Sequence, residues 1–130
     1  MLFAKEDTGR DPLTEKIIGA AIEVHRVLGP GLLECVYEEC LCYELEKMGL
    51  RYERQRHWPV QYKDRIIKRG FRTDILVEGE VVVEVKSCEK VTAVHERITT
   101  TYLRLSKTHR ALIINFNVYL LKDSIHRLVA

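Results

Sequence analysis

The segment Val81-Val-Val-Glu-Val-Lys86 is the part of this 130-residue chain that most restricts its fold. Its β-branched residues favour a strand, and its uninterrupted apolar start predicts that the strand is buried on both faces. We therefore expect the segment at the centre of a sheet. Glu84 and Lys86 lie within it, and charges inside a buried strand need compensating partners.

Two helices are predicted before the first strand. Asp11-Pro12 has the pattern of an N-cap followed by proline at the first helical position, and Gly29-Pro30-Gly31 would end this helix because proline cannot continue the hydrogen-bond ladder. A second apolar stripe predicts another helix, which ends near Gly49. The stripe residues are Leu13, Ile17, Ala21, Val24 and Leu28 in the first helix, and Leu33, Val36, Tyr37, Cys40, Leu41, Leu45 and Met48 in the second.

The rest of the chain alternates between strand and helix patterns. Strands are predicted at about residues 52–62 and 66–77, and a third helix from Thr92 to about Lys107. A buried strand at 110–117 and a short edge strand at 124–129 follow. Because the third helix requires a crossover connection, the fold class is α/β, more closely an α+β domain with a mixed sheet. The apolar stripe of the third helix is Val91, Val94, Ile98, Tyr102 and Leu105.

Length and composition predict a single domain, residues 11–130, after a flexible N-terminus, residues 1–10. Hydrophobic residues make up 46% of the chain, which is typical of a folded globular protein. No stretch approaches the roughly 20 apolar residues of a membrane span, and no signal peptide is recognisable, so we expect a cytoplasmic protein with no membrane partner. The four cysteines lack metal-ligand or C-x-x-C spacing, so we expect free thiols.

Charge is distributed unevenly along the sequence. Residues 1–50 contain five Lys and Arg against ten Asp and Glu, whereas residues 51–72 contain eight against two. A basic segment of this density is a candidate surface for the phosphates of a nucleic acid, and the alternative is a solvated hairpin with an arginine-rich outer face. Trp58 in this hairpin could stack on an unpaired base, although a half-buried strand tryptophan is the commoner role. The candidate nucleic-acid-binding residues are Arg54, Arg56, Lys68, Arg69 and Arg72.

Asp74, Glu84 and Lys86 form a candidate catalytic cluster. A tight turn at Gly79 would place Asp74 nearly opposite Glu84, at the roughly 4.5–5.5 Å of cross-strand neighbours. Such a pair is tolerated if one carboxylate is protonated or if a cation lies between them, and hard oxygen ligands suit Mg²⁺ or Mn²⁺. Lys86 shares the face of Glu84, where its ammonium could stabilise charge on a phosphate. The alternative is a ladder of exposed surface charges.

An Asp in one strand followed by Glu-x-Lys in the next resembles the signature of the PD-(D/E)XK nuclease superfamily. The run Gly31-Leu-Leu-Glu34-Cys-Val-Tyr37 also resembles the G-x-x-E-x-x-Y pattern that names a small group of bacterial and archaeal proteins assigned to that superfamily. The segments Glu53-Arg-Gln and Ile113-Ile-Asn-Phe-Asn are similar to segments of the same group. The resemblance extends over about residues 13–129.

The resemblance implies a restriction-endonuclease-like core of helix, three strands, helix and strand, with an extra N-terminal helix and a C-terminal edge strand. It also implies a nuclease that hydrolyses DNA or RNA with a divalent cation, Mg²⁺ or Mn²⁺. The metal would be held by Glu34, Asp74, Glu84 and the carbonyl of Val85, and Lys86 would orient the nucleophile or stabilise the transition state. Without the resemblance, Glu34 would be interpreted as a carboxylate favoured by the helix dipole. The candidate accessory residues are Tyr37, His95 and Tyr102.

One position departs from the pattern of the superfamily. Its members commonly carry a glutamine one turn before a tyrosine of the third helix, and this chain has Ile98 one turn before Tyr102. Because that glutamine supports the site by hydrogen bonding, its absence motivates a second hypothesis. The chain would then be a nucleic-acid-binding or protein-interaction module that retains the nuclease fold with weak or no catalysis.

The small size of the domain also suggests a homodimer, because two copies would offer a larger surface for binding the substrate.

Overall fold

The computed structural model describes residues 5–6 and 11–130. The predicted flexible N-terminus, residues 1–10, lies outside the described residues except for Lys5–Glu6, which form a short strand. The elements in chain order are β1 (Lys5–Glu6), α1 (Pro12–Leu28), α2 (Glu34–Lys47), β2 (Tyr52–Tyr62), β3 (Arg65–Val77), β4 (Val81–Lys86), α3 (Ala93–Ser106), β5 (Arg110–Asn115), a 3₁₀ helix (Leu121–Ser124) and β6 (Ile125–Val129).

The strands form one six-stranded sheet in the order β1-β6-β5-β4-β3-β2. Strand β4 pairs in parallel with β5, and every other neighbouring pair is antiparallel, which confirms the predicted mixed sheet. The valines of β4 are buried, as the sequence predicts for a strand at the centre of a sheet. The C-terminal strand β6 carries the short β1 on its outer side.

Two hydrophobic layers cover the two faces of this sheet. Val81, Val83 and Val85 of β4 pack into a cluster with α1 and α2. Val82 packs into a second cluster, with Leu103 of α3. Since side chains alternate along a strand, Glu84 and Lys86 project toward the same face as Val82, the face covered by α3.

The N-terminal helices begin and end where local signals predict. Asp11 caps α1, because its Oδ1 accepts a hydrogen bond of 2.9 Å from the amide of Thr14. Gly29 follows α1 with a φ of +68°, and Gly49 follows α2 with a φ of +77°, both in the left-handed region that favours glycine. These two glycines therefore fix how the chain leaves each helix.

The predicted apolar stripes of α2 and α3 do not all face the core. Leu33 precedes α2 and is exposed, whereas Glu38, which is not part of the predicted stripe, is buried. Helix α3 packs on the sheet through Thr99 and Leu103, and its stripe at Val94, Ile98 and Leu105 is exposed. Periodicity places apolar residues on one side of a helix but does not say which side meets the sheet, so this part of the prediction is wrong.

The hairpin of β2 and β3 changes the orientation of its faces at Gln55. This residue has a φ of +51°, in the left-handed region that is uncommon for residues other than glycine. Tyr52 packs against the cluster of α1 and α2, and Trp58 belongs to the cluster of α3. Residues six positions apart in a regular strand point to the same face, so the alternation breaks between them. The outer half of the hairpin thus turns its aromatic side chains toward α3.

The four cysteines are free thiols, as their spacing predicts. Cys35, Cys40, Cys42 and Cys88 are free, and burial raises the pKa of the Cys42 thiol to about 12. Of the helices within the described ranges, none is both long enough and apolar enough to cross a membrane.

A close approach of the two hairpin strands gives a test of the packing. An added Cβ at Gly70 would lie 2.2 Å from Cγ2 of Val60 and 3.0 Å from its amide nitrogen, whereas one at Gly19 on α1 would meet nothing within 4 Å. We expect Gly70→Ala to lower the free energy of unfolding by about 1–3 kcal/mol. Gly19→Ala should raise it by about 0.5–1 kcal/mol, since alanine is the better helix former. Chemical denaturation measures both changes. If Gly70→Ala were as stable as the parent, the close contact between Gly70 and Val60 would be contradicted.

Candidate active site

Asp74 of β3 and Glu84 of β4 lie side by side where the two strands stop pairing. The last pair of the ladder is Ile75 with Val83, and Asp74 and Glu84 are next in this register. The amide of Asp74 donates a hydrogen bond of 2.9 Å to Oε2 of Glu84, and the amide of Val85 donates one of 2.9 Å to Oδ2 of Asp74. Each carboxylate therefore binds the main chain of the opposite strand.

Glu84 is only 6% exposed, so the alternative that these residues are merely exposed charges on the surface of the sheet is wrong for Glu84. Burial and the negative charge of Asp74 raise the pKa of Glu84 to about 8, although the amide of Asp74 and the positive charge of Lys86 oppose the shift. The Glu84 carboxyl is therefore largely protonated at neutral pH. Protonation is one of the two conditions under which such a pair of acids is tolerated.

Three polar atoms of the candidate cluster have no strong partner. Oε1 of Glu84 receives no hydrogen bond from the described residues, and Oδ1 of Asp74 accepts only a long one of 3.5 Å, from Gln55. Lys86 is half-buried and forms no ion pair or hydrogen bond in the described part of the chain. These atoms remain available to a ligand.

Glu34, the first residue of α2, lies beside the end of β4. Its Oε2 accepts a hydrogen bond of 3.2 Å from the amide of Ser87, and the Ser87 hydroxyl donates one of 2.6 Å to the carbonyl of Leu32. The buried Tyr37 hydroxyl donates to the carbonyl of Gly29 at 2.6 Å and accepts from the amide of Leu32 at 3.1 Å. Tyr37 thus fixes the loop before α2, and this loop holds Glu34 next to the residue that follows Lys86.

The donor set of the two strands fits a hard divalent cation. Over residues 11–130, no three His, Cys, Asp or Glu side chains are grouped closely enough to hold a metal ion. Glu34 therefore does not form a three-ligand group with Asp74 and Glu84 in the described part of the chain. Mg²⁺ commonly binds through one or two carboxylates and keeps several waters, a requirement that Asp74 and Glu84 can meet.

Glu38 and Gln55 are parts of the site that the sequence analysis missed. Arg54 Nη2 donates a hydrogen bond of 3.0 Å to Oε2 of Glu38. Nε2 of Gln55 donates to Oε1 of Glu38 at 2.7 Å and to Oδ1 of Asp74 at 3.5 Å. Glu38 on α2 is thus connected to Asp74 through Gln55. The only signal in the sequence was the segment Glu53-Arg-Gln, which carried a resemblance but no role.

The two accessory candidates on α3 have different surroundings. Nδ1 of His95 accepts a hydrogen bond of 3.1 Å from the amide of the N-cap residue, so His95 caps the helix. Tyr102 stacks on Phe71 with ring centres 4.7 Å apart. Burial, followed by the negative charges of Glu84 and Asp74, raises the pKa of the Tyr102 hydroxyl. Tyr102 is therefore held in an aromatic stack, and the ring of His95 is held at the start of α3.

The basic residues of the hairpin divide into paired and unpaired groups. Arg56 pairs with Glu53 at 2.7 Å and lies over the Trp58 ring at 4.0 Å, and Arg54 is held by Glu38. Trp58 is buried and donates a hydrogen bond of 2.9 Å to Thr73, which confirms its interpretation as a packing residue. Of the candidate nucleic-acid-binding residues, Lys68, Arg69 and Arg72 are exposed and have no ion pair in the described chain.

Comparisons with known proteins bear on this arrangement. A family model described as the PD-(D/E)XK nuclease superfamily matches residues 11–128, which include α1 to α3 and the strands from β2 to β5. No curated protein and no solved structure matches the chain.

The raised pKa of Glu84 predicts how stability depends on pH in the presence of EDTA. Between the unfolded pKa of 4.5 and the folded pKa of about 8, the unfolded state has lost a proton that the folded state keeps, so the free energy of unfolding should fall as pH rises. Glu84→Gln removes this titration and should flatten the decline. Between pH 4.5 and pH 8 the free energy of unfolding of the parent should fall by a few kcal/mol more than that of Glu84→Gln, since one pKa unit is about 1.4 kcal/mol.

Denaturant unfolding at several pH values measures this effect. Glu89→Gln is the matched control, because Glu89 is exposed and has no ion pair in the residues that the structure describes. If the Glu84→Gln and Glu89→Gln variants followed the same pH dependence, the buried protonated Glu84 would be refuted.

Proposed function

Because the chain belongs to the PD-(D/E)XK nuclease superfamily, we propose that it hydrolyses phosphodiester bonds of nucleic acid with a divalent cation, Mg²⁺ or Mn²⁺. The observation that carries this proposal is the pair of Asp74 and Glu84, each hydrogen-bonded to the main chain of the other's strand. Burying two acids side by side opposes folding unless a proton or a cation compensates them. A cation bound between Asp74 and Glu84 would supply this compensation.

In this proposal, Asp74 and Glu84 are the main protein ligands of the cation. Their support is the availability of Oδ1 of Asp74 and Oε1 of Glu84. Glu34 and the carbonyl of Val85 are proposed as further ligands, Glu34 because it is exposed beside the end of β4. When bound, the cation supplies Lewis-acid stabilisation of the phosphate and a more acidic water.

Lys86 is proposed as the group that stabilises negative charge on the phosphate or orients the nucleophile. By the alternation of the strand its ammonium is on the face of Glu84, and its charge opposes the rise in the pKa of that residue. Among the described residues it has no ion-pair partner to give up when substrate binds. A preorganised cation at this position is worth more in a partly desolvated site than in water.

Within the superfamily, we propose that the chain belongs to the G-x-x-E-x-x-Y group. Gly31 has a φ of +103°, which favours glycine, and the Tyr37 hydroxyl fixes the loop that precedes Glu34. These contacts give the glycine and the tyrosine of the pattern a physical role. Lys68, Arg69 and Arg72 are proposed to bind phosphates of the nucleic acid. The cytoplasmic location and the homodimer stay predictions.

The alternative is a nucleic-acid-binding module that retains the fold with little turnover. It is supported by Ile98 in place of the expected glutamine and by the finding that, among the described residues, Glu34 forms no three-ligand group with the strand carboxylates. A cleavage assay on single-stranded, duplex and branched substrates, with Mg²⁺ and with Mn²⁺, distinguishes the two functions. Binding of nucleic acid without cleavage in either metal would favour the module.

Lys86→Ala tests the assignment of the amine. We expect cleavage to fall about a hundredfold or more, the usual loss when one transition-state donor is removed. Metal binding, followed by calorimetric titration with Mn²⁺, should be preserved. Lys90→Ala is the control, because Lys90 is exposed and lies outside the cluster. A Lys86→Ala protein that cuts DNA or RNA as well as the parent would show that Lys86 has no catalytic role.

Mn²⁺ should stabilise the folded protein through Asp74. At a metal concentration a hundredfold above the dissociation constant, the free energy of unfolding is expected to rise by about 2.7 kcal/mol. Asp74→Asn should abolish this gain, and Asp64→Asn, in the exposed turn of the hairpin, should retain it. Thermal melts with Mn²⁺ and with EDTA measure the difference. A gain of the same size in Asp74→Asn and in the parent would exclude Asp74 as a ligand.

A further inference from the structure

A groove of about 400 Å³ lies between the β2–β3 hairpin and α3. Its volume is within the roughly 300–1,000 Å³ of pockets that bind small ligands. Its walls include Val60, Gly70 and Phe71 of the hairpin and Ile98, Tyr102 and Leu105 of α3. The apolar stripe that α3 does not bury against the sheet is thus one wall of this groove.

An aromatic stack forms one part of the wall. Phe71 is nearly parallel to Trp58, with ring centres 6.1 Å apart, and to Tyr102, with ring centres 4.7 Å apart. Arg56 lies over Trp58 at the far end. Tyr102 is the last ring of the stack, and within the described residues no other ring stacks on it. The stack therefore fixes the position of Tyr102 in the wall of the groove.

Positive charge borders the groove. Arg69 and Arg72 flank the wall residues Gly70 and Phe71, and both are exposed without an ion pair in the described chain. The charge of Arg72 also reaches Tyr102. An apolar groove with a cationic border suits a ligand that has flat rings joined to negative groups. A second copy of this chain would bring an equally basic hairpin, and the two hairpins would repel each other.

We propose that this groove binds unpaired bases of a single-stranded nucleic acid, with Tyr102 as the stacking surface and Arg72 as a phosphate contact. The inference rests on the proposed nuclease function and specifies its substrate. In a duplex the faces of the bases are stacked on one another, so only an unpaired base can offer its face to Tyr102. Tyr102 stacks on Phe71, and Phe71 precedes Asp74 by three residues on β3, so a base bound there lies along the strand that carries one of the two carboxylates.

Fluorescence anisotropy in EDTA tests this inference without cleavage. The probes are labelled oligonucleotides of about 12 nucleotides, within the usual range of single-strand sites. They are an oligodeoxythymidine strand, an oligouridine strand, an abasic deoxyribose strand and a DNA duplex. Tyr102→Ala should weaken binding of the deoxythymidine or uridine strand about tenfold, as expected for the loss of one stacking contact. Tyr102→Phe should bind like the parent. Tyr119→Ala is the matched control, because Tyr119 is 97% exposed and lies outside the groove.

The abasic strand separates stacking from charge. It keeps the phosphates and lacks the bases, so Tyr102→Ala and the parent should bind it equally. If Tyr102→Ala lost affinity for the abasic strand or the duplex as strongly as for the base-bearing strands, the effect would not be stacking. If Tyr102→Ala bound all base-bearing strands like Tyr119→Ala, the proposal would also be overturned.

A second variant protects the test against unfolding. Ile98→Glu places a negative charge in the groove at a residue that is already 44% exposed, so the fold should tolerate it. We expect it to weaken single-strand binding several-fold. Val27→Glu makes the same charge change on an exposed residue of α1 outside the groove and should bind like the parent. Equal affinities of Ile98→Glu and Val27→Glu would overturn the proposal.

Sedimentation and cleavage separate the remaining outcomes. If Tyr102→Ala or Ile98→Glu instead dissociated a dimer and left single-strand binding unchanged, the groove would be a protein interface and the proposal would be wrong. Metal-dependent cleavage without any dependence on Tyr102 would refute this inference alone. Tyr102-dependent binding of single strands without cleavage in Mg²⁺ or Mn²⁺ would refute the proposed nuclease and leave the groove assignment intact.

Discussion

The arrangement of the site depends on the way in which β3 and β4 are joined at Asp74 and Glu84. Up to Ile75 and Val83 the strands form an ordinary antiparallel ladder, and beyond that pair the carboxylates take over the bonding to the main chain. These hydrogen bonds fix both side chains, because each carboxylate satisfies an amide that would otherwise be left unpaired. The end of the ladder and the position of the two acids are therefore one structural feature.

The conformation of Gln55 is the second constraint. Arg54 pairs with Ile75 and Arg56 with Thr73, so Gln55 is opposite Asp74 in the register of β2 and β3. A left-handed residue with a side chain costs about 1–2 kcal/mol and persists only when its surroundings hold it. Here the hydrogen bonds of Gln55 to Glu38 and Asp74 hold it. The same distortion turns the aromatic side chains of the hairpin toward α3.

Much of the fold and part of the site could be predicted from sequence because both depend on local signals. The turn at Gly79 fixes the register, so the position of Asp74 opposite Glu84 followed from counting residues. Glu38 could not be recognised, because its burial depends on contacts with Arg54 and Gln55 that are distant in the chain. The exposed stripe of α3 was unpredictable for a similar reason, since a helical period gives one apolar side and the sheet selects which side it covers.

Helix α3 also explains the consequence of Ile98, where the sequence departs from the pattern it resembles. The hydrogen bonds that hold Asp74 and Glu84 come from β2, β3 and β4, and none of those among the described residues comes from α3. The carboxylate pair is therefore complete without a polar side chain at position 98. Ile98 is in the wall of the groove beside Tyr102, so the departure changes the polarity of the groove. An apolar residue at this position favours contact with the rings of a base over hydrogen bonding to its edge, because a buried base edge needs polar partners that isoleucine cannot supply.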